Sequence, residues 1–173
     1  MTKIIKTAIA TTLLGLSSIS FAEQECNASI EQSTPNTRYE LSSDEVKDKR
    51  TNLVWKRCML GQSWNAESST CDGDPVTRNW LEAHEQTPAG WRLPNINELL
   101  SIVEYSCANP TINLTIFPTT PVGTFWSSTL SKSIHYAFSG LNQRSWTLNL
   151  QDGATGYGSR DRSNLIRFVK DAS

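Results

Sequence analysis

The stretch from Trp91 to Ser106, WRLPNINELLSIVEYS, guides the interpretation of the rest of the chain. The side chain of Asn95 can accept a hydrogen bond from an otherwise unpaired backbone N–H, and Glu98, three residues later, can reach back to complete a capping box. Pro94 holds the entering chain in an extended conformation. These residues predict a helix that begins after Asn95 and ends near residues 105–107.

An apolar stripe follows this helix start. Hydrophobic residues recur at the i, i+3, i+4 and i+7 spacing of a helix that lies on a sheet, and they are Ile96, Leu99, Leu100 and Val103. The four residues WRLP before the cap are interpreted as a structural corner that directs the helix toward the core. In this corner we expect Trp91 to be a buried anchor and Arg92 to be a brace that binds an acid or a backbone carbonyl.

A second helix is predicted over residues 77–87. Thr77 can cap its start, and Pro88-Ala89-Gly90 ends it. One face of this helix carries Trp80, Leu81 and His84. His84 is interpreted as a packed or boundary histidine instead of a catalytic base, since no partner nucleophile is apparent.

Two-residue alternation predicts strands on both sides of the helices. The candidates are RYELSS and TNLVWKR early in the chain, and TFWSSTL, SIHYAFS, RSWTLNL and NLIRFVK in its last fifty residues. Asp152-Gly153 is a strong turn signal, and Gly156 and Gly158 around Tyr157 predict a bulge or a loop. Residues 108–124, rich in proline and small polar residues, predict a long ordered loop. The chain therefore has the pattern of an α+β domain with a mostly antiparallel sheet.

The first 22 residues have the pattern of a secretory signal peptide. Lys3 and Lys6 precede an apolar run, and Ser20-Phe21-Ala22 places small residues before a cut after Ala22. The run is too short and too rich in Thr and Ser to span a bilayer of about 30 Å. We expect an exported chain, in the periplasm, at the cell surface or outside the cell, with no membrane span after the cut.

The charge balance does not favour a nucleic-acid partner. The leader contains two of the 16 Lys and Arg residues and none of the 17 Asp and Glu residues, which leaves a formal charge of −3. The arginines near the C-terminal end are interpreted as a solvated surface with internal ion pairs, and they are Arg144, Arg160, Arg162 and Arg167.

Four cysteines follow the predicted cut, an even number that favours disulfides in an exported chain. Three pairings are possible. We favour Cys58–Cys71, which closes a short polar loop, together with Cys26–Cys107, which ties the N-terminal arm to the end of a helix. A metal site is disfavoured because no pair has CxxC spacing and the two histidines, His84 and His135, are far from any cysteine in the sequence.

Several motifs follow one another in a fixed order along the chain. They are Arg38-Tyr39, Thr51-x-Leu-x-Trp55-x-Arg57-Cys58, WRLPNINELLSIVEYS, Asn109-Pro110-x-Ile112-Asn113, Phe117-Pro118-x-Thr120-Pro121, Phe125-Trp126-Ser127-Ser128-Thr129, Trp146-x-Leu-Asn-Leu-x-Asp152-Gly153 and Ile166-Arg-Phe-Val-Lys170. This ordered set resembles the Lcl C-terminal domain family, which is named after a collagen-like bacterial surface adhesin. The resemblance covers residues 38–170, which leaves 23–37 as an N-terminal arm. It departs at two turns, where this chain has Asp44-Glu45-Val46 and Thr51-Asn52-Leu53 in place of the glycine-containing turns usual in the family.

The resemblance implies a C-type-lectin-like single domain, held by disulfides, in which two helices flank a mostly antiparallel sheet. This group also contains the formylglycine-generating enzymes. The resemblance further implies that the long loop of residues 108–124, with the loops 139–145 and 152–163 nearby, forms the ligand face.

The leading functional interpretation is a non-enzymatic, adhesin-like binding module for a glycan, a glycosaminoglycan-like polymer or a surface protein. An aromatic face packs on the apolar face of a sugar while amides bind its hydroxyl groups. The candidate ligand-binding residues are Trp64 with Asn65, Asn109 with Asn113, and Tyr157 with Arg160 and Asp161. We expect no cofactor and no metal, because the long loop contains no Asp or Glu to bind calcium and the usual calcium-binding lectin motifs are absent.

Two other functional classes stay open. A structural or assembly component of a cell-surface appendage also needs only an exported, disulfide-held domain with one adhesive face. An enzyme is the third class, but the related formylglycine-generating enzymes use a copper-binding cysteine pair late in the chain, and no cysteine follows Cys107. Ser127 and Ser128, beside Trp126, are interpreted as sheet-packing residues and not as nucleophiles.

Overall fold

The structure, a computed structural model, describes residues 23–131 and 143–172. The predicted signal peptide at 1–22 and the candidate strand at 133–139 lie outside the described residues. In the described part, no helix is long and apolar enough to cross a membrane.

The described residues form short strands and two short helices, an α+β arrangement as predicted. The helices are α1 (Trp80–Glu85) and α2 (Ile96–Ser101), and a 3-10 turn covers Asn36–Arg38. The strands are β1 (Glu25–Cys26), β2 (Tyr39–Ser42), β3 (Glu45–Asp48), β4 (Leu53–Lys56), β5 (Ser63–Asn65), β6 (Thr70–Asp72), β7 (Cys107–Ala108), β8 (Thr124–Ser131), β9 (Arg144–Asn149), β10 (Thr155–Ser159) and β11 (Val169–Asp171).

The strands pair antiparallel in separate sheets. One sheet has the order β11-β4-β3-β2 and a second has the order β10-β9-β8. Two short ribbons, β1-β7 and β5-β6, complete the described pairing. Strand β11, which comes last among the strands, therefore pairs with β4, which comes early in the chain.

Helix α2 begins as the sequence predicts and ends earlier. The Asn95 side chain accepts from the Glu98 N–H at 2.9 Å, and the Glu98 carboxylate accepts from the Asn95 N–H at 2.7 Å. The predicted end near residues 105–107 is wrong, since the helix stops at Ser101 and Val103 forms a β-bridge with Ile112. The long-range pairing of Val103 with Ile112 ends the helix, although the helical spacing of apolar residues continues to Val103.

Helix α1 is shorter than predicted at its N-terminal end. Asn79, and not Thr77, caps it through a second capping box with Glu82. The helix starts here because Arg78, just before it, forms a β-bridge with Asn164. The predicted apolar stripe is also wrong in part, since Leu81 is 62% exposed.

The WRLP corner docks onto β8. The Pro94 carbonyl accepts a hydrogen bond from the Ser128 N–H at 2.7 Å, and the Ser127 hydroxyl donates to the Trp146 carbonyl at 2.8 Å. Trp91 is half-buried, so the prediction of a buried anchor is wrong. The ammonium groups of Lys56 and Lys170 lie 4.6 and 4.4 Å from its ring centroid.

Two apolar clusters share the last segment of the chain. The larger cluster contains Leu165 and Val169, and the smaller one contains Ile166 and Phe168 together with the fully buried Trp126. Residues 165–169 are therefore buried on both faces, and the alternation expected of a half-exposed strand does not hold there.

Arg167 lies inside this segment and is 1% exposed, so its assignment to a solvated surface is wrong. Its guanidinium donates to the carbonyls of Lys56 and Arg57 and to the Thr120 hydroxyl. It also lies 4.8 Å from the ring centroid of Phe117. Burial lowers the pKa of Arg167 to about 9.

The bulge or loop predicted around Tyr157 is instead the regular strand β10. Its register with β9 is unbroken from Thr155 to Ser159. Gly158 packs closely on Trp126, and a Cβ there would lie 3.2 Å from the Cη2 atom of that ring, a tight contact.

The disulfides are Cys26–Cys107 and Cys58–Cys71, the pairing that we favour from the sequence. Cys26 faces Cys107 across the ribbon β1-β7, so the first bridge joins two strands and does not reach a helix end. The loop closed by the second bridge is an ordered hairpin, β5-β6.

Candidate functional site

A groove of about 530 Å³ opens beside the β5-β6 hairpin. It contains an aromatic ring, hydroxyl groups, an acid and a base above an apolar floor. The lining residues are Ser43, Asp44, Lys56, Cys58, Met59, Leu60, Gly61, Gln62, Ser63, Trp64, Pro88 and Phe168.

The hairpin holds Trp64 at the groove. Trp64 is directly opposite Cys71 in the β5-β6 register, and Cys71 is bonded to Cys58 at the end of the segment that follows β4. The turn into β5 requires glycine, because Gly61 has φ +93° and a Cβ there would lie 2.5 Å from the Cγ2 atom of Val76. The disulfide and this turn fix where the indole ring emerges.

A buried arginine braces the indole ring. The guanidinium carbon of Arg57 lies 3.9 Å from the ring centroid of Trp64. Arg57 is itself held by the carbonyls of Ile116, Ser43 and Thr115, at 3.0, 3.2 and 3.2 Å. Burial lowers the pKa of Arg57. The Trp64 ring therefore forms one wall of the groove. It packs against the guanidinium of Arg57, which the three backbone carbonyls hold in place.

The rim of the groove has paired charges. Lys56 Nζ lies 2.6 Å from the Asp44 carboxylate and 3.4 Å from that of Glu45. Lys170 also binds Glu45, at 2.8 Å. Carboxylates thus neutralise the two lysines beside Trp91, and the groove presents both donors and acceptors to a ligand.

Asn65 has a structural contact set although it is adjacent to Trp64. Its Nδ2 donates to Asp72 at 2.8 Å, and its Oδ1 accepts from the N–H groups of Glu67 and Ser68. Asn65 therefore closes the hairpin turn and does not line the groove, whereas Trp64 does.

The second sequence-predicted group divides between two places. Tyr157 is 54% exposed on β10, with its ring edge-on to Trp146 and 5.2 Å from the guanidinium carbon of Arg144. Arg160 and Asp161 line a separate hollow of about 350 Å³, where Arg160 lies 4.9 Å from the ring centroid of Trp80.

The two asparagines of the long loop are not together at one site either. Asn113 donates to the Thr34 carbonyl and to Asn36, so it joins the loop to the N-terminal arm. Asn109 has φ +55°, precedes a cis peptide bond to Pro110, and borders an apolar hollow of about 460 Å³.

The remaining candidates for chemistry have packing contacts. The ring of His84 lies 4.1 Å from that of Trp80, and burial lowers the pKa of His84. Across residues 23–131 and 143–172, no group of three or more His, Cys, Asp or Glu residues is placed to hold a metal ion.

Sequence reasoning missed the two charged residues that line the groove, Asp44 and Lys56, and the residue that braces its indole ring, Arg57. Lys56 and Arg57 belong to the predicted strand TNLVWKR. The two-residue alternation of that strand indicates which side chains face inward, but not what the other side chains contact. The available signal was the disulfide Cys58–Cys71, because it returns the hairpin that carries Trp64 to the end of that strand.

In the comparison with family models, residues 44–170 match the family described as the Lcl C-terminal domain. Searches of curated proteins and of solved structures found no match.

Proposed function

The chain belongs to the Lcl C-terminal domain family, and from this we propose that it is an exported, non-enzymatic binding module that recognises a glycan or a surface polymer in the Trp64 groove. In this proposal, residues 1–22 are a signal peptide, 23–37 an arm and 38–170 a C-type-lectin-like domain. The two disulfides suit an oxidising compartment outside the cytoplasm.

The observation that carries the proposal is the braced indole ring of Trp64. A sugar ring has an apolar face that stacks on an aromatic side chain and equatorial hydroxyl groups that need hydrogen-bond partners. Arg57 holds the indole ring in place, so little side-chain entropy is lost when a ligand stacks on it. A preorganised aromatic wall of this kind favours a binding role.

The polar groups of the groove support a sugar ligand over a purely apolar one. Ser43 and Ser63 supply hydroxyl groups, and the Asp44–Lys56 pair supplies charged acceptor and donor atoms on the same rim. Gln62 is committed to the fold, because its side chain bonds to the Met59 N–H and the Gly73 carbonyl. We therefore expect sugar hydroxyl groups to bind at Ser43, Ser63 and Asp44.

The test is binding of the purified chain to an array of glycans and glycosaminoglycans, followed by titration with the best ligand. We expect Trp64→Ala to weaken binding about tenfold or more, the equivalent of roughly 1.4 kcal/mol. Trp64→Phe, which keeps a smaller aromatic face, should retain part of the affinity. Tyr105→Ala is the matched control, because Tyr105 is an exposed aromatic residue that does not line the groove.

Two outcomes would overturn the proposal. One is an array without signal from protein in which no free thiol is detected. The other is a ligand whose affinity falls equally in Trp64→Ala and Tyr105→Ala, because then the groove has no special part in binding. Thermal unfolding of each variant shows whether a loss of binding comes from a loss of fold.

A further inference from the structure

Strand β10 is an edge strand with no pairing on its outer side among the described residues. The sheet order β10-β9-β8 places it at the end, and its register from Thr155 to Ser159 is with β9 alone. Natural edge strands are usually protected by lysine, proline, a bulge or a covering element. The sequence of β10, TGYGS, contains no charged residue and no proline, and the strand has no bulge.

The hydrogen-bond pattern shows which backbone groups face outward. The Ala154 carbonyl accepts from the Asn149 N–H, and the Arg160 N–H donates to the Gln143 carbonyl. Bonding alternates along an antiparallel pair, so the even-numbered residues of β10 bond to β9. The backbone groups of Thr155, Tyr157 and Ser159 therefore point away from β9 toward the open edge. Of these, the Ser159 carbonyl is already bonded to the Arg162 N–H.

We propose that β10 is a homodimer interface, in which β10 of a second copy of this chain adds antiparallel across a two-fold axis at Tyr157. The pentapeptide is nearly symmetric about its centre. A two-fold axis there places Tyr157 opposite Tyr157, Gly156 opposite Gly158, and Thr155 opposite Ser159. Residues whose backbone N–H and C=O groups point toward the open edge then lie opposite each other in the two copies. An antiparallel hydrogen-bonded ladder requires this arrangement.

Charge complementarity favours a second copy of the chain as the occupant and an antiparallel direction for it. The turn before β10 contains Asp152, and the chain just after β10 contains Arg160 and Arg162 around Asp161. An antiparallel second copy places the acidic end of one strand beside the basic end of the other, twice. A parallel copy would place like ends together and lose this attraction.

The expected contacts are specific. The two Tyr157 residues exchange two backbone hydrogen bonds at the axis, and each Ser159 N–H donates to the Thr155 carbonyl of the other copy. The exposed Tyr157 rings lie next to each other on one face of a continuous six-stranded sheet. Aromatic pairs directly opposite each other stabilise antiparallel strands.

The test is the mass of the full chain in solution, by sedimentation equilibrium and light scattering over a dilution series. We expect wild type to show twice the monomer mass at high concentration. Tyr157→Lys and Tyr157→Glu each place like charges opposite each other and should show the monomer mass. An equimolar mixture of the two variants should recover the doubled mass, because Lys then faces Glu.

Cross-linking tests the register independently of charge. Directly opposite residues in a hydrogen-bonded pair have Cα atoms about 5.5 Å apart, within disulfide range. Tyr157→Cys should therefore form a covalent dimer on mild oxidation. Thr155→Cys is the control, since its copy lies four residues away along the strand, about 13 Å.

Three results would overturn the interface. They are a wild-type chain that stays monomeric at every concentration, charge variants that stay dimeric when tested alone, and a Thr155→Cys variant that cross-links as readily as Tyr157→Cys. None of these results depends on whether the Trp64 groove binds a glycan.

Discussion

Glu104 shows at the scale of one residue how this domain holds its N-terminal arm. Its carboxylate is 2% exposed and accepts six hydrogen bonds, from the N–H and hydroxyl groups of Ser33, Thr34 and Ser106. Desolvation raises the pKa of this carboxyl group, but the hydrogen bonds from Ser106 and Thr34 outweigh it and lower the pKa to about 2. The charged form is therefore part of the folded structure.

The pH dependence of stability follows from this shift. A carboxyl group whose pKa is lower in the folded state stabilises the fold above the pKa of the unfolded state, about 4.5. That contribution is lost as pH falls from about 4.5 to about 2. We expect Glu104→Gln to lower the free energy of unfolding at pH 7 by about 3 kcal/mol and to flatten its dependence on pH in that window. Urea unfolding at pH 7 and pH 3 measures both effects.

Glu31→Gln is the control for this experiment, because Glu31 is an exposed acid on the same arm. It should leave the unfolding midpoint nearly unchanged at pH 7. A Glu104→Gln variant that is as pH-dependent as wild type between pH 4.5 and pH 2 would contradict the prediction.

At the scale of elements, both helices depend on their caps more than on their length. Each helix has six residues and follows an Asn N-cap, with Glu three positions after the Asn, and each has the complete capping box. Helices this short are unstable in isolation, so their stability must come from the caps and from packing. The capping motif was visible in the sequence for α2 and was overlooked for α1, where Asn79 and Glu82 have the same spacing.

Asn95→Ala tests the cap of α2. We expect the free energy of unfolding to fall by about 1 kcal/mol, the usual cost of removing an N-cap side chain. Asn97→Ala is the matched control, an exposed asparagine inside the same helix. Equal effects from the two substitutions, measured by urea unfolding, would show that the cap contributes nothing specific.

At the scale of the whole molecule, the two disulfides stabilise the fold by different amounts. Cys26–Cys107 joins residues 81 positions apart, and Cys58–Cys71 joins residues 13 positions apart. In the chain-entropy account, the longer loop restricts the unfolded chain more. The first bridge therefore stabilises the whole domain, and the second chiefly holds the hairpin of the Trp64 groove.

Paired serine substitutions separate these contributions. Replacing Cys26 and Cys107 by Ser should lower the free energy of unfolding by roughly 4–5 kcal/mol, against about 3 kcal/mol for Cys58 and Cys71. Urea titration of both double variants gives the two values. A larger loss from the short-loop variant would mean that hairpin contacts, and not chain entropy, set the order.

Local signals in the sequence determined several features of this domain. The cap at Asn95, the strands at 39–42, 53–56, 124–131 and 144–149, and the cysteine pairing were predicted, because each depends on nearby residues, on hydrophobic period or on the loop that a bridge would close. Trp64 was proposed as a binding residue from residue type alone.

Only the tertiary structure decided the features that depend on distant parts of the chain. Residues 165–169 are buried on both faces because two apolar clusters meet there. The sequence in this segment therefore lacks the alternation of apolar and polar residues that marks a strand with one exposed face. Helix α2 stops where Val103 meets Ile112, and Arg57 braces Trp64 only because a disulfide returns the hairpin to the end of β4. Hydrophobic period indicates which side chains are buried, but long-range contacts decide what they are buried against.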